Sequence, residues 1–251
     1  MSRRLVRDAG KWISEHVPLA ESLLRWIYGI LPAGFHDHPE YFLQRYFAGW
    51  KHVEFIQIGA HDGISGDPIR PNVLRNTFWS GVLVEPNPKL FEQLKSNYTG
   101  HARLSFKCAA ISDSPGVLPF YVFDERGCKG QFPHWWSEVS SLDKRHLIRE
   151  LPEECHAHID QIEVPVLTLH EIISGDPGKN VNLIVMDVEG HEPPILRYIL
   201  NSNIRPDVLV FEHKHMPQSF RMEFTTEFCI EGYRAKAYGR DTVLYRPIAK
   251  R

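Results

Sequence analysis

Three short apolar runs in this 251-residue chain each stop at an acid. Gly81-Val82-Leu83-Val84 stops at Glu85, Leu183-Ile184-Val185-Met186 at Asp187, and Val208-Leu209-Val210-Phe211 at Glu212. A fourth run, Phe55-Ile56-Gln57-Ile58, stops at the loop Gly59-Ala60-His61-Asp62-Gly63. In open parallel α/β sheets, ligands sit outside the carboxyl ends of the strands, so one edge is expected to hold nearly all the chemistry. Glycines after a first strand admit ligand atoms close to the backbone, and an acid after the second strand accepts both hydroxyls of a ribose. Glu85 follows Gly63 by 22 residues, close to the spacing of about 20 in ribose-binding sheets. The loop lacks the third glycine of GxGxxG, and Asp62 and Asp67 would set negative charge where a pyrophosphate must lie, which disfavours dinucleotides. S-adenosylmethionine suits the loop better: it has no phosphate, carries an ammonium and a sulfonium, and offers its ribose diol to Glu85. The duller alternative is that His61 and Asp62 merely cap the loop.

The elements that must position these residues follow from periodicity. Fully apolar strands alternating with helices predict a mostly parallel α/β sheet covered by helices on both faces. Strands are expected at residues 53–58, 82–84, 104–108, 118–123 and 162–166, then in the runs ending at Asp187 and Glu212. Pro71 to Trp79, Leu90 to Tyr98, Thr168 to Ser174, Pro193 to Leu200 and Gln218 to Glu231 read as helices, with Asn87 as N-cap and Pro88 at the first helical position of the second. Gly239-Arg240-Asp241 reads as the turn of a closing antiparallel hairpin. Residues 124–161 lose periodicity and predict an insertion or lid over the strand edge, holding Trp135-Trp136, which suit either a sugar-stacking floor or an apolar anchor.

Ile13, Val17, Ala20, Leu24, Ile27 and Leu31 mark an amphipathic helix near residues 10–31, within an N-terminal helical extension over 1–50. Packing on the domain is its plainer use, and peripheral membrane contact aided by Trp12, Trp26 and a basic leader is the sharper one. No run approaches the roughly 20 apolar residues of a membrane span. With 29 basic and 31 acidic residues the net charge is -2, against the basic footprint of a nucleic-acid-binding protein. Cys108, Cys128, Cys155 and Cys229 form no CxxC pair, and read as reduced thiols of a cytoplasmic protein. One domain over 51–251 is expected.

Six blocks occur in order: Phe55 to Gly63, Leu83-Val84-Glu85-Pro86-Asn87-Pro88, Ala109-Ala110-Ile111-Ser112-Asp113, Val164-Pro165-Val166-Leu167-Thr168-Leu169, Asp187-Val188-Glu189-Gly190-His191-Glu192 and Phe211-Glu212-His213. With them the chain resembles the FkbM family of S-adenosylmethionine-dependent methyltransferases over about residues 53–246. The resemblance implies a class I methyltransferase (Rossmann-like) seven-stranded sheet. It implies cofactor contacts from Gln57, Gly59, His61, Asp62, Gly63, Glu85, Pro86, Asn87, Ala109 and Asp187, with adenine near Cys108. The acceptor it implies is a hydroxyl on a sugar, glycan or small metabolite. His61 stands where many members have asparagine, and Val188 and His191 vary the family's Asp-Val-Glu-Gly-Ala-Glu form.

Methyl transfer to a hydroxyl is an in-line displacement at a carbon activated by sulfonium, so the protein must align three atoms and help remove a proton. Asp187, Glu189, His191, Glu212 and His213, at or just past strand ends, are the candidates for proton removal. A second route has Asp187 and Glu212 hold a magnesium ion that acidifies the hydroxyl; the metal-free route is preferred. Each residue has a plainer use. Asp187 or Glu189 could cap the following helix, and Glu212 could pair with Lys214 or Arg240. His213 and His215 point to opposite faces of a continuing strand, so at most one faces the site. Cys155-His156-Ala157-His158 lacks the spacing that puts two zinc ligands on one helix face. A nucleotide-dependent oxidoreductase would need phosphate-compatible glycines and a Tyr-x-x-x-Lys base, and neither is present. A degenerate cofactor domain serving as an interaction module has no need of acids at three strand ends.

Overall fold

The structure is a computed structural model describing residues 38–124, 136, 139–173 and 181–248. The amphipathic helix at 10–31, Cys128 and Trp135 lie outside the described residues. The strands of the main sheet are β1 (Val53–Ile58), β2 (Trp79–Val84), β3 (Leu104–Lys107), β8 (Leu183–Met186), β9 (Val208–Glu212), β10 (Arg234–Tyr238) and β11 (Asp241–Tyr245). They lie in the order β10-β11-β9-β8-β1-β2-β3. The five strands from β9 to β3 are parallel, while β11 enters antiparallel to β9 and pairs back with β10 around the predicted turn. This is the seven-stranded, mostly parallel arrangement expected, with its closing antiparallel hairpin.

Both faces of the central strands are apolar because both are covered. On one face Ile56, Ile58, Ile184, Met186, Leu209 and Phe211 pack against Ile195, Leu196 and Ile199 of α6 (Glu192–Asn201) and Phe224 and Phe228 of α7 (Gln218–Ile230). On the other, Phe55, Leu83, Val185 and Val210 pack against Leu43 and Tyr46 of α1 (Pro39–Tyr46), Val73 of α2 (Arg70–Arg75) and Leu94 of α3 (Pro88–Asn97). Full burial of each such side chain contributes about 1.5–3 kcal/mol, so the register that brings four strand ends to one edge is strongly fixed.

A second sheet, in the order β4-β7-β5-β6, departs from the expectation of a single sheet plus lid. It is built from β4 (Ala110–Ile111), β5 (Gly116–Phe123), β6 (Ser140–Ser141) and β7 (Ile159–Leu167). β5 and β7 pair antiparallel over eight positions, Gly116 opposite Val166 through Phe123 opposite Ile159. The added layer therefore extends on both sides of the 124–161 stretch. It carries α4 (Lys144–Glu150), capped by the Asp143 carboxylate accepting from the Arg145 N–H at 3.0 Å, and a 3-10 helix at Glu153–His158. Phe123, Val139, Leu147, Leu151 and Cys155 form its small core, with Trp136 packed against it. The ring of His156 is turned to the Leu151 carbonyl, 3.0 Å from Nε2. α5 (Leu169–Ile173) leads back toward β8. No helix among the described residues is long and apolar enough to cross a membrane.

Candidate active site

The loop after β1 passes through left-handed backbone at Gly59 (φ 74°) and His61 (φ 52°). A Cβ on Gly59 would lie 1.8 Å from the Asp187 carbonyl oxygen, so glycine is what allows β1 and β8 to end side by side. On Gly63 (φ 73°) a Cβ would strike Leu94 Cδ1 at 2.6 Å and Tyr98 Cε2 at 2.7 Å. That glycine lets the loop seat closely on α3. Asparagine and histidine both tolerate the left-handed region better than most residues, which accounts for His61 at this turn. The His61 N–H donates to Glu85 Oε2 at 2.9 Å, and the Asn87 N–H donates to Glu85 Oε1 at 2.8 Å. The buried carboxylate is thereby fixed at the end of β2, and its four lone-pair sites leave acceptor capacity for a ribose diol. Burial pushes the Glu85 pKa up to about 7, against the pull of the Asn87 N–H and of His61.

Several residues expected to touch cofactor also hold the surrounding structure in place. Asp62 Oδ1 accepts from the N–H groups of Ile64 and Ser65 at 2.8 Å each, and Oδ2 accepts from the Ser65 hydroxyl at 3.0 Å. Burial raises its pKa, but the His61 ring and these donors outweigh that and hold the carboxyl well below the usual range. Its charge is directed into the loop. Gln57 hydrogen-bonds Asp67, whose carboxylate also accepts from the Ile69 and Arg70 N–H groups and the Tyr98 hydroxyl. Burial pushes Asp67 up to about 6. Asn87 Oδ1 caps α3, accepting from the Lys89 N–H at 3.0 Å. Ala109 is buried in the core, and Cys108 Sγ lies 3.9 Å from the Pro86 carbonyl oxygen.

The ends of β8 and β9 carry an acidic cluster. Asp187, Glu189 and Glu212 each offer a carboxylate oxygen, all within 4.8 Å of one another. Neither Asp187 nor Glu189 caps α6: that helix start has no capping side-chain bond at its N-cap, and Glu192 Oε1 takes the Val188 N–H at 3.1 Å. Glu189 is held at φ 50°, an uncommon conformation for a residue with a side chain, and Gly190 follows at φ 97°. The Ser141 hydroxyl of β6 donates to the Glu189 carbonyl at 3.1 Å, so the second sheet reaches across to hold this turn. His146 of α4 and His215 beyond β9 place their Nε2 atoms 3.1 and 3.2 Å from Glu189 Oε2. Sequence reasoning missed His146 as a site residue.

Electrostatics separates the three acids. Glu189 is raised by burial but held well below the usual carboxylate range by His146 and His215. Asp187 faces solvent at its strand end, yet the protein crowding it, then repulsion from Glu189 and Asp241, pushes it up to about 7 against Arg240. Glu212 is buried, and with Asp187 and Glu189 beside it rises to about 9, although Arg240 Nε is 3.6 Å from its Oε1. Arg240 is one of the two partners expected for it; Lys214 pairs instead with Glu150 at 3.2 Å.

The other two histidine candidates are turned elsewhere. His191 Nε2 is 3.0 Å from the Ser112 hydroxyl, and burial lowers its pKa. His213 Nδ1 is 3.0 Å from the Thr242 hydroxyl of β11. A turn after β9, closed by the Met216 N–H donating to the His213 carbonyl at 3.2 Å, ends the strand alternation and brings His215 to the site in place of His213.

No curated protein matches the chain. Among solved structures, a methyltransferase from Geobacter sulfurreducens is similar at 10% identity and TM-score 0.47, covering 99% of this chain and 98% of that one. The METTL16 MTase domain is similar at 10% identity and TM-score 0.46, covering 83% of this chain and 66% of that one. The ribosomal protein L11 methylase of Lactobacillus delbrueckii subsp. bulgaricus is similar at 9% identity and TM-score 0.40, covering 82% and 74%. Residues 57–234, from β1 to the start of β10, match the model of the methyltransferase FkbM domain. With the glycine loop, the ribose-ready acid and the acidic strand ends all inside that match, the chain belongs to the FkbM methyltransferase family.

Proposed function

We propose that this methyltransferase moves the methyl group of S-adenosylmethionine to a hydroxyl of a sugar, glycan or small metabolite. The observation that carries the reading is the juxtaposition, at one sheet edge, of the Glu85 carboxylate held by two backbone N–H groups with the acids at the ends of β8 and β9. Bound S-adenosylmethionine supplies a methyl carbon already activated by its sulfonium. Glu85 accepts the ribose hydroxyls, and the loop at Gly59 and His61 lies against the same carboxylate. The acidic edge suits a cofactor with two positive centres and opposes phosphate-bearing acceptors, so a neutral hydroxyl compound fits and a nucleic acid does not. Asp187, at the end of β8 against Gly59, is the residue assigned to take the hydroxyl proton.

The test is calorimetric titration with S-adenosylmethionine, with NAD as control, followed by transfer of labelled methyl to a panel of neutral sugars and hydroxylated metabolites. Saturable binding and an ether product support the reading. Failure to bind S-adenosylmethionine, or a product methylated on nitrogen or carbon, overturns it.

A further inference from the structure

His146 is 1% exposed, and among the described residues neither of its ring nitrogens has a hydrogen-bond partner, nor does Nε2 of His215. Both Nε2 atoms stand 3.1 and 3.2 Å from a single oxygen, Glu189 Oε2, which they hold ionised. The two rings meet edge to face with centroids 4.5 Å apart. Glu212 Oε2 is a further 3.7 Å from His215 Nε2. Two imidazole nitrogens converging on one carboxylate oxygen, with a further carboxylate beside them, form the arrangement that a shared cation draws together. An ion with metal–ligand bonds of about 2.1 Å sets neighbouring ligand atoms roughly 3.0–3.4 Å apart, from octahedral to tetrahedral. The two histidine–Glu189 separations match that edge length.

We infer that His146, Glu189 and His215 form a binding site for a divalent transition ion of the zinc or manganese class, with Glu212 adjacent. Two imidazoles beside a carboxylate favour such an ion over magnesium, whose ligands are oxygens. The ligands come from three places, α4 of the second sheet, the turn after β8 and the segment after β9. The ion would tie the added layer to the catalytic edge. This deepens the hydroxyl-methylation reading and rests on it for its use: an ion there lowers the pKa of a bound hydroxyl and does so next to Asp187.

The test uses the full chain without S-adenosylmethionine and reads metal alone. Cobalt(II) titration should give saturable visible ligand-field bands that zinc displaces and a large excess of magnesium does not. H146Q and H215N should each weaken cobalt binding by roughly 100-fold or more, beyond the cost of losing an outer-shell partner, while S-adenosylmethionine affinity persists. Should H146Q fail to fold, E189Q gives a second handle: zinc should raise the melting temperature of the parent chain and leave that of E189Q unchanged. Absence of saturable cobalt or zinc binding, or binding that survives all three substitutions, overturns the site and leaves a metal-free imidazole–carboxylate cluster. Loss of S-adenosylmethionine binding in the parent chain would instead strike the methylation reading, so the two failures are separable.

Discussion

At the scale of single residues, Glu85 carries the sharpest prediction. Its pKa of about 7 arises mainly from burial, and only the ionised form can accept both ribose hydroxyls. S-adenosylmethionine affinity should therefore weaken as pH falls below about 7 and level off above it, with one proton taken up per lost cofactor. Glu85→Gln should bind about tenfold or more weaker, in line with about 1.5–3 kcal/mol for a hydrogen bond to a charged group, and should lose the pH dependence. Calorimetry at several pH values checks this, and an unchanged profile in the variant would remove Glu85 from the ribose site. Asp187 makes the complementary case. Asp187→Asn should abolish turnover with a modest effect on cofactor affinity, measured by labelled-methyl transfer beside calorimetry; full activity would take Asp187 out of the mechanism. Both acids were legible in the sequence because an acid that ends an apolar run is a local signal. His146 was not, because its chemistry depends on Glu189, a residue far along the chain that only the fold brings to it. The choice between His213 and His215 was equally hidden, since alternation fixes which side chain faces a site only while the strand lasts, and here it ends at Glu212.

At the scale of elements, the central strands β1, β2, β8 and β9 announced themselves because each is buried on both faces and reads as a nearly continuous apolar run. The second sheet did not. Its longest pairing joins β5 to β7 across more than thirty intervening residues, and Val117 and Leu118 of β5 are exposed, so the strands lack a clean periodic pattern. That sheet matters to the site through one short element, β6. The Ser141 hydroxyl donates to the Glu189 carbonyl and also accepts the Asp143 N–H at 3.1 Å, linking the strained turn after β8 to the start of α4. Ser141→Ala should cost stability by about 1 kcal/mol per lost bond. Because the turn positions Glu189 and does not touch the ribose end, kcat should fall by roughly tenfold or more, as small misplacements near reacting atoms do. The S-adenosylmethionine dissociation constant should stay within about twofold. A parallel loss of cofactor affinity would mean that the second sheet supports the glycine loop as well, contrary to the contacts seen.

At the scale of the whole molecule, burying acids at a sheet edge makes stability depend on pH in an unusual direction. Asp67, Glu85 and Glu192 have folded pKa values of about 6, 7 and 8, each raised first by burial from 3.8 or 4.5. Between about pH 4.5 and 8 the folded chain therefore holds more protons than the unfolded chain, and stability must fall as pH rises through that window. Asp62 and Glu189 act oppositely, because their folded values lie well below the usual range. Their contribution is present above about pH 4.5 and is lost in stronger acid, so it shapes the low-pH limb, while His191 and His213, whose pKa values burial lowers from 6.5, oppose the neutral trend only up to about that pH. A tenfold difference in proton affinity between the folded and unfolded chain corresponds to about 1.4 kcal/mol, and at this chain length each kcal/mol moves the melting temperature by about 2–4 °C. The protein without cofactor should melt several degrees lower at pH 8 than at pH 5.5 by calorimetry, and a rise over that interval would refute the burial account. Cofactor binding reports the same Glu85 proton from the other side. A ligand that binds ionised Glu85 stabilises the folded chain more when no proton must first be displaced, so a fixed concentration of S-adenosylmethionine should raise the melting temperature more at pH 8 than at pH 5.5. In Glu85→Gln that difference should vanish while the pH trend from Asp67 and Glu192 persists, which separates the site's contribution from that of the rest of the fold.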